Sequence, residues 1–389
     1  MPGGWGRFQV HFKINEEQEA IRKMVRDFRE KEIVPLAPAW DEEERFPKEI
    51  LSKLDNLGLT NLSVPEKYGG PGVDFVSAAI IMEELAYGCA GVTLAAGNNT
   101  IALYPIIVGG TEEQKVKYLT AACDCAGGKL AALALYEAEA GTDLTRLATT
   151  ARHSGGAYLL NGRKTFVTNA PYADFFIVFA KTGEEKGKDL SVLLVEKDTP
   201  GITIGAPVHK LGLRAAATAD VVFENARIPV ENLVGKEGSG YSLAAQTFEL
   251  TRPLIAAMAT GVAQAAMEQA AKYAGERVQF GRPIADFQAI RVMLAKMAAG
   301  IEASRLLTYQ AVWLRDEAAA ANSKAAMARF VATEAALKTT IDAIQIMGGY
   351  GYSREYPLEK FMRDAKMLQI IEEDTQAQQL YIAADLLKQ

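Results

Sequence analysis

The sequence predicts an α+β chain in three parts: a helical domain over residues 1–129, an antiparallel β domain over 130–237 and a four-helix bundle over 238–389. Three observations carry this. Apolar residues recur at helical spacing as far as about Leu130, give way to short runs punctuated by turn residues, and return to helical spacing from Gly238. Strands gathered between two helical blocks, not alternating with helices, argue against βαβ units. No strict G-x-G-x-x-G follows a strand and no P-loop occurs, so a dinucleotide would have to be held by another architecture.

In the first part, Asn15 and Gln18 form a capping box ahead of Ala20, Ile21, Met24, Val25 and Phe28, which share one helical face. Pro35 and Pro38 are expected to end that segment. A second helix starts at Pro47 and stops at Gly58. Tyr68 to Gly72 reads as a loop, followed by helices over Val76–Tyr87 and after Thr111, where Thr111 and Gln114 repeat the capping box. The Gly- and Asn-containing segment Ala96–Tyr104 is expected to line a space, not to pack. In the second part, Leu130–Leu135, Tyr158–Leu160, Phe175–Phe179, Ser191–Val195 and Asp220–Phe223 read as strands, separated by Gly155-Gly156, Asn161-Gly162 and Pro200-Gly201. In the third, long helices are expected over Tyr241–Ala274, Asp286–Asp316 and Ser323–Met347 with a C-terminal segment, and their short connections favour antiparallel neighbours.

Composition narrows the class. At 389 residues, 49% of them hydrophobic and 23% charged, the chain is long enough for several cores of ordinary globular type. A net charge of −6 argues against a nucleic-acid or anionic-membrane surface, and no uninterrupted apolar run reaches membrane-spanning length. Met1–Phe12 resembles neither a signal peptide nor a transit peptide and reads as a short lead-in, consistent with a cytoplasmic protein or the mature form of a mitochondrial matrix protein. Three cysteines cannot make a disulfide framework, Cys123 and Cys125 lack zinc spacing, and His11, His153 and His209 are scattered, so no metal is expected.

Chemistry concentrates near the end. Glu372, Glu373 and Asp374 follow the apolar run Met367–Ile371. Burying one of these carboxyls would raise its pKa and make it a proton acceptor, whereas exposed they would form an acidic helix N-terminus.

Several strings around this stretch resemble the acyl-CoA dehydrogenase flavoproteins, the medium- and short-chain members above all, over nearly the whole chain from Ile14. Arg277 to Gln288 is similar to the family's R-x-x-F-G-x-P-I-x-x-F-Q signature. Gln345 to Gly351, followed by Glu355-Tyr356-Pro357 and Arg363-Asp364-Ala365-Lys366, is similar to its second signature, and Thr251-Arg252-Pro253 and Lys210 to Arg214 are shorter matches. The resemblance implies FAD bound partly by a neighbouring subunit, hence a homotetramer built as a dimer of dimers. It assigns Arg277, Gln279, Phe280, Gln288, Gln345, Gly348 and Gly349 to that cofactor. By themselves Arg277 could be an exposed salt-bridging residue and Gly348-Gly349 a helix C-cap.

Leu133 to Asp143 aligns with the family's A-L-T-E-P-x-A-G-S-D string and Lys164 to Asn169 with K-x-W-I-T-N. This places Leu133, Leu135, Tyr136, Thr142, Phe166 and Thr168 beside the flavin. Tyr136 stands in place of a threonine and Ala138 in place of a proline; Tyr136 is either a hydroxyl donor at an altered distance or a packed strand aromatic. The Y-E-G-T-x-Q-I-Q string aligns with Ile371 to Gln378, which makes Glu372 the match for the catalytic base, with Asp374 and Gln376 on the flavin side. A one-residue shift would make Glu373 the base but breaks the spacing to Arg363. Thr142, Glu249, Arg252 and Glu373 match positions near the substrate, and Gly97 and Asn98 match the far end of an acyl pocket that Gly97 would leave roomy. The implied reaction is α,β-dehydrogenation of an acyl-CoA thioester, with an electron-transfer flavoprotein taking the electrons. The extra carboxylates Glu373 and Asp374 suggest an unusual, cyclic or conjugated acyl group. An oxidase or monooxygenase on the same fold, an enoyl-CoA reductase and a non-catalytic acyl-CoA-binding flavoprotein are the alternatives.

Overall fold

The computed structural model describes residues 14–124, 128–185, 187–319 and 321–387. The expected lead-in Met1–Phe12, with His11, and also Cys125 lie outside the described residues. Helix α1 (Glu16–Phe28) opens on the expected capping box, Asn15 accepting from the Gln18 backbone at 2.8 Å and Gln18 from the Asn15 backbone at 3.0 Å. It runs on into a π-helical turn at Arg29–Ile33. Pro38 does not end a segment: it lies in the first turn of α2 (Ala37–Glu42), where its missing N–H has no intrahelical partner to lose. Helix α3 (Lys48–Asn56) follows Pro47.

Helix α4 (Phe75–Gly109) corrects the reading that Ala96–Tyr104 does not pack, although Ala96 and Asn99 do border a cavity. It is 35 residues long, kinked at Cys89, and Ala96–Tyr104 is buried within it. Asparagine disfavours helix interiors because its amide competes for backbone partners; here the amides find partners on other elements. Asn98 donates to the Thr168 carbonyl at 3.2 Å, and Asn99 donates to Asn61 at 2.8 Å while accepting from the Ala131 backbone at 2.5 Å. By length and hydropathy α4 could cross a membrane, but 83% of its most apolar window is buried inside the protein. Helix α5 (Glu112–Ala122) carries the second capping box.

Among the described residues, ten strands follow in two sheets. Strands β1 (Ala131–Ala134), β2 (Thr150–Ser154), β3 (Ala157–Thr168), β4 (Phe175–Lys181), β5 (Leu190–Glu196), β6 (Ile202–Ile204), β7 (Thr218–Pro229) and β8 (Leu233–Val234) make one eight-stranded sheet. Its order is β6-β7-β3-β2-β4-β5-β8, with β1 on β4. Most pairs are antiparallel, as expected, but β1 and β2 each meet β4 in parallel, so the sheet is mixed. The hairpin β2–β3 runs out and back before β4 begins, so β4 runs in the direction of β1 and β2. Strands β4 and β5 are buried almost throughout, which is why they read as continuous apolar runs.

The C-terminal part holds α6 (Gly240–Glu276), the hairpin β9 (Val278–Gln279) and β10 (Arg282–Pro283), α7 (Gln288–Asp316), α8 (Asn322–Met347), α9 (Gly349–Tyr352), α10 (Leu358–Leu368) and α11 (Thr375–Leu387). Three helices of the bundle are long; the fourth position is shared by α10 and α11, both packed on α8. Helix α4 lies along α6, and the two approach so closely at Gly261 that a Cβ there would sit 2.1 Å from the Glu83 carbonyl oxygen. One apolar core therefore spans the two helical parts.

Candidate active site

The site is built around the turn between α10 and α11. Helix α10 is anchored first. Arg363 pairs with Asp41, 2.5 Å at its closest, and donates to the Leu211 carbonyl at 2.9 Å, while Asp364 accepts from the Leu213 backbone at 2.6 Å and from Lys360 at 2.6 Å. Gly212 makes this docking possible, since a Cβ would lie 2.3 Å from the Arg363 carbonyl oxygen. The Arg-Asp-Ala-Lys string and the Lys210–Arg214 string thus hold each other, and the turn that follows is fixed at its start.

Glu372 sits in that turn, buried, with a left-handed backbone at φ +61°. Such a conformation costs a non-glycine residue about 1–3 kcal/mol and persists only where surroundings impose it. Its Oε2 accepts from Thr251 Oγ1 on α6 at 2.6 Å and lies 3.5 Å from Arg329 Nη1 on α8. Its Oε1 is buried without a hydrogen-bond partner. Burial pushes the carboxyl up to about 7, with Arg329 and the Thr251 hydroxyl pulling the other way. A carboxyl with one oxygen held and the other free, half-ionised near neutrality, is suited to accepting a proton.

The neighbouring acids behave differently. Glu373 Oε2 accepts from Arg252 Nη2 at 2.8 Å, from Arg252 Nε at 3.0 Å and from Gln378 at 3.0 Å; Arg252 also stacks 4.7 Å from the Tyr381 ring. Asp374 Oδ1 accepts from the Ala377 backbone at 2.7 Å and caps α11. Both carboxylates, expected to bear on the flavin or substrate, thus have partners within the chain: one is paired with a buried arginine and the other satisfies a helix N-terminus. Glu249 is bonded to Asn322, and burial raises its carboxyl above the ordinary range. Gln376 is exposed on α11. Gly97 does not open a pocket: a Cβ there would lie 2.7 Å from Met82 Cε, so the space beside it is already filled. Asn98 is turned to the Thr168 carbonyl.

Across from this turn the β domain presents Tyr136. Its phenolic oxygen is buried without a partner, and burial, then Glu372 and Glu373, push its pKa well up. The segment is held from behind by Lys164, fully buried, which donates to the Leu135 carbonyl at 2.9 Å and to Glu137 at 2.7 Å. Glu137 in turn accepts from the backbones of Ala148 and Thr149. Leu133 is half-buried and Leu135 buried, and Thr142 lies in an exposed turn. Phe166, at φ +52°, projects from β3 with 59% of its surface exposed, next to half-buried Thr168.

A second surface lies at the other end of the bundle. Phe280 at the tip of the β9–β10 turn is 93% exposed and meets Phe287 edge-on at 6.1 Å. Arg277, Gln279, Gly348, Gly349 and Tyr350 border a groove of about 660 Å³, with Arg277 6.0 Å from the Tyr350 ring. Nothing lies within 4 Å of a Cβ built on Gly348 or Gly349. Gln288 and Gln345 are exposed nearby in sequence. Among the described residues, none of those lining the Arg277 groove belongs to the Glu372 turn.

The models of the acyl-CoA dehydrogenase N-terminal, middle and C-terminal domains match residues 15–126, 132–226 and 238–387 in turn. The chain belongs to the acyl-CoA dehydrogenase family. It is 43% identical over 376 residues to an acyl-CoA dehydrogenase of Bacillus subtilis, covering 96% of this chain and 99% of the relative. It is 42% identical over 378 residues to a 3-(aryl)acrylate reductase of Clostridium sporogenes, covering 96% and 100%. Among solved structures, butyryl-CoA dehydrogenase of Megasphaera elsdenii superimposes with a TM-score of 0.94 at 38% identity, over 97% of this chain and 100% of that one. A chain from work on the electron transferring flavoprotein of Acidaminococcus fermentans gives 0.94 and 38%, over 98% and 100%.

FAD is the cofactor of an acyl-CoA dehydrogenase family enzyme, and the residues present fit it. Tyr136 Oη and Glu372 Oε1 are buried, unpaired polar atoms, and the exposed Phe166 and the open backbone at Gly348-Gly349 leave faces for a large planar and phosphorylated group. Two side chains that hold the turn from neighbouring helices had no assigned role in the sequence reading. Thr251 appeared only as part of a short string, and the structure makes it the donor to Glu372. Arg329 carried no motif: a single arginine on a helix rich in small residues has no local signal, since its partners lie more than forty residues along the chain.

Proposed function

We propose that this acyl-CoA dehydrogenase family oxidoreductase removes the α-proton of an acyl-CoA thioester with Glu372, in an FAD-dependent α,β-dehydrogenation. The observation that carries the reading is the state of Glu372: buried, with a pKa of about 7, Oε2 held by Thr251 and Oε1 unpaired. Thr251 fixes the rotation of the carboxyl and leaves Oε1 to take the proton. Burial makes the carboxylate a stronger base than one in water, and Arg329 and Arg252 keep its charged form accessible near neutrality. When bound, FAD supplies the acceptor for the β-hydride. After transfer Glu372 is neutral, which suits its buried surroundings.

The likeness to butyryl-CoA dehydrogenase supports a short acyl chain. The case for an unusual acyl group weakens, because Glu373 and Asp374 are engaged elsewhere. The likeness to a 3-(aryl)acrylate reductase supports a second reading, in which the same site works physiologically toward the saturated acid derivative. An electron-transferring flavoprotein is the partner suggested by the Acidaminococcus likeness. A homotetramer is the assembly in which the Arg277 groove of one subunit would meet the cofactor of another. The deciding test is anaerobic mixing of the purified yellow protein with butyryl-CoA and longer, branched and aromatic acyl-CoAs. Bleaching of the flavin by short straight-chain thioesters is the expected result; binding of every thioester without bleaching would leave only a carrier role.

A further inference from the structure

Arg329 is the least expected residue of the site. It projects from the middle of α8, is 1% exposed, and directs its guanidinium into the turn that bears Glu372. Its Nη2 donates to the carbonyl of Ile371 and, at 2.6 Å, to the carbonyl of Glu373, while Nη1 lies 3.5 Å from Glu372 Oε2. It therefore contacts the residue before the base, the residue after it and the base itself. Glu372 is the residue in this turn with a left-handed backbone, at φ +61°. A planar fork with diverging donors can hold two carbonyls at once, which a lysine ammonium does with far less directional control.

We propose that Arg329 is a positioning residue for Glu372: it grips the carbonyls on either side, holds the left-handed turn closed, and so aims the unpaired Oε1 into the site. This rests on the reading of Glu372 as the base. The geometry divides the work among three side chains. Thr251 binds Oε2, Arg252 removes Glu373 to its own ion pair, and Arg329 sets the peptide planes between them. The groups that face Glu372 are Thr251 and Arg252 on α6, Arg329 on α8, Glu373 in its own turn, Tyr136 from the β domain and Tyr104 from α4. With Arg252 committed to Glu373, Arg329 is the main positive charge opposing the effect of burial on the base. A second consequence follows, that Arg329 keeps Glu372 ionisable near neutral pH.

Two variants separate position from charge. The holoenzyme is mixed with methylthioacetyl-CoA, a butyryl-CoA analogue with sulfur in place of the β-carbon, so that proton abstraction cannot continue to hydride loss. Exchange of its α-protons with deuterium oxide is followed by NMR, and the titration of Glu372 by infrared difference spectroscopy against Glu372→Gln. Arg329→Lys should keep the titration of the unaltered protein while slowing exchange about 10–100-fold, the scale of a base displaced by an ångström or less. Arg329→Met should raise the titration midpoint by about 1–3 pH units as well. An Arg329→Lys protein that exchanges at the unaltered rate overturns the proposal, and this variant alone decides if Arg329→Met does not fold. An unchanged midpoint in folded Arg329→Met also overturns it. Exchange that survives in Glu372→Gln would instead sink the assignment of the base, a distinguishable failure.

Discussion

Glu372 carries opposite pH signs for stability and for reactivity. Its folded value of about 7 lies above the ordinary 4.5, so between those values the folded protein holds a proton that the unfolded chain has released. Its contribution to stability is therefore complete below 4.5 and is lost as the pH rises through about 7. Proton abstraction needs the carboxylate, so the rate of flavin reduction at limiting substrate should rise with pH and level off above about 7. Glu372→Gln should retain FAD and bind acyl-CoA while stopped-flow flavin reduction falls by about 10²–10⁴-fold. Glu373→Gln should cost much less, because Glu373 is occupied by Arg252 and Gln378. Greater loss in Glu373→Gln than in Glu372→Gln would move the base one residue along.

Among the elements, β1 and β3 act as a unit through a buried charge. Lys164 is completely buried and burial lowers its pKa to about 8, opposed by Glu137, to which it is bonded. Lys164→Met removes the partner of a buried carboxylate, a change that typically destabilises by about 3–5 kcal/mol. The expected result is a lower urea midpoint with an unchanged slope, accompanied by weaker FAD retention because Leu135 loses its anchor. Full stability with full FAD content would show that Ala148 and Thr149 suffice to hold Glu137. The hairpin β9–β10 is exposed instead of buried: Phe280 stands at its tip, and Arg277, just before β9, borders the groove.

On the scale of the whole molecule, the helical parts share a core while the Arg277 groove and the Glu372 turn remain apart. If the Arg277 groove completes the FAD site of a second subunit, Arg277→Ala should lower FAD retention on gel filtration and shift the holoenzyme toward smaller species, since a phosphate-pairing charge is lost. A stable, fully loaded monomer in light scattering would defeat the shared site. The side-chain partners of Glu372 come from two different helices, Thr251 from α6 and Arg329 from α8. The site is thus as rigid as the packing between them.

By itself the sequence determined the three-part order, both capping boxes, the strands β4 and β5, and Glu372 as the residue to watch, because each has a local signature: helical spacing, a turn residue, an apolar run, an ungapped string. Only the tertiary structure decided what the neighbours of that residue do. Asn98 and Asn99 look like loop residues until their amides meet Thr168 and Asn61. Glu373 and Asp374 look like two more acids in a catalytic turn until one meets Arg252 and the other caps α11. Arg329, 43 positions from Glu372, has no local pattern at all. Hydrogen-bond partners distant in sequence are set by which faces of helices pack together, and a single sequence records the faces without recording the pairing.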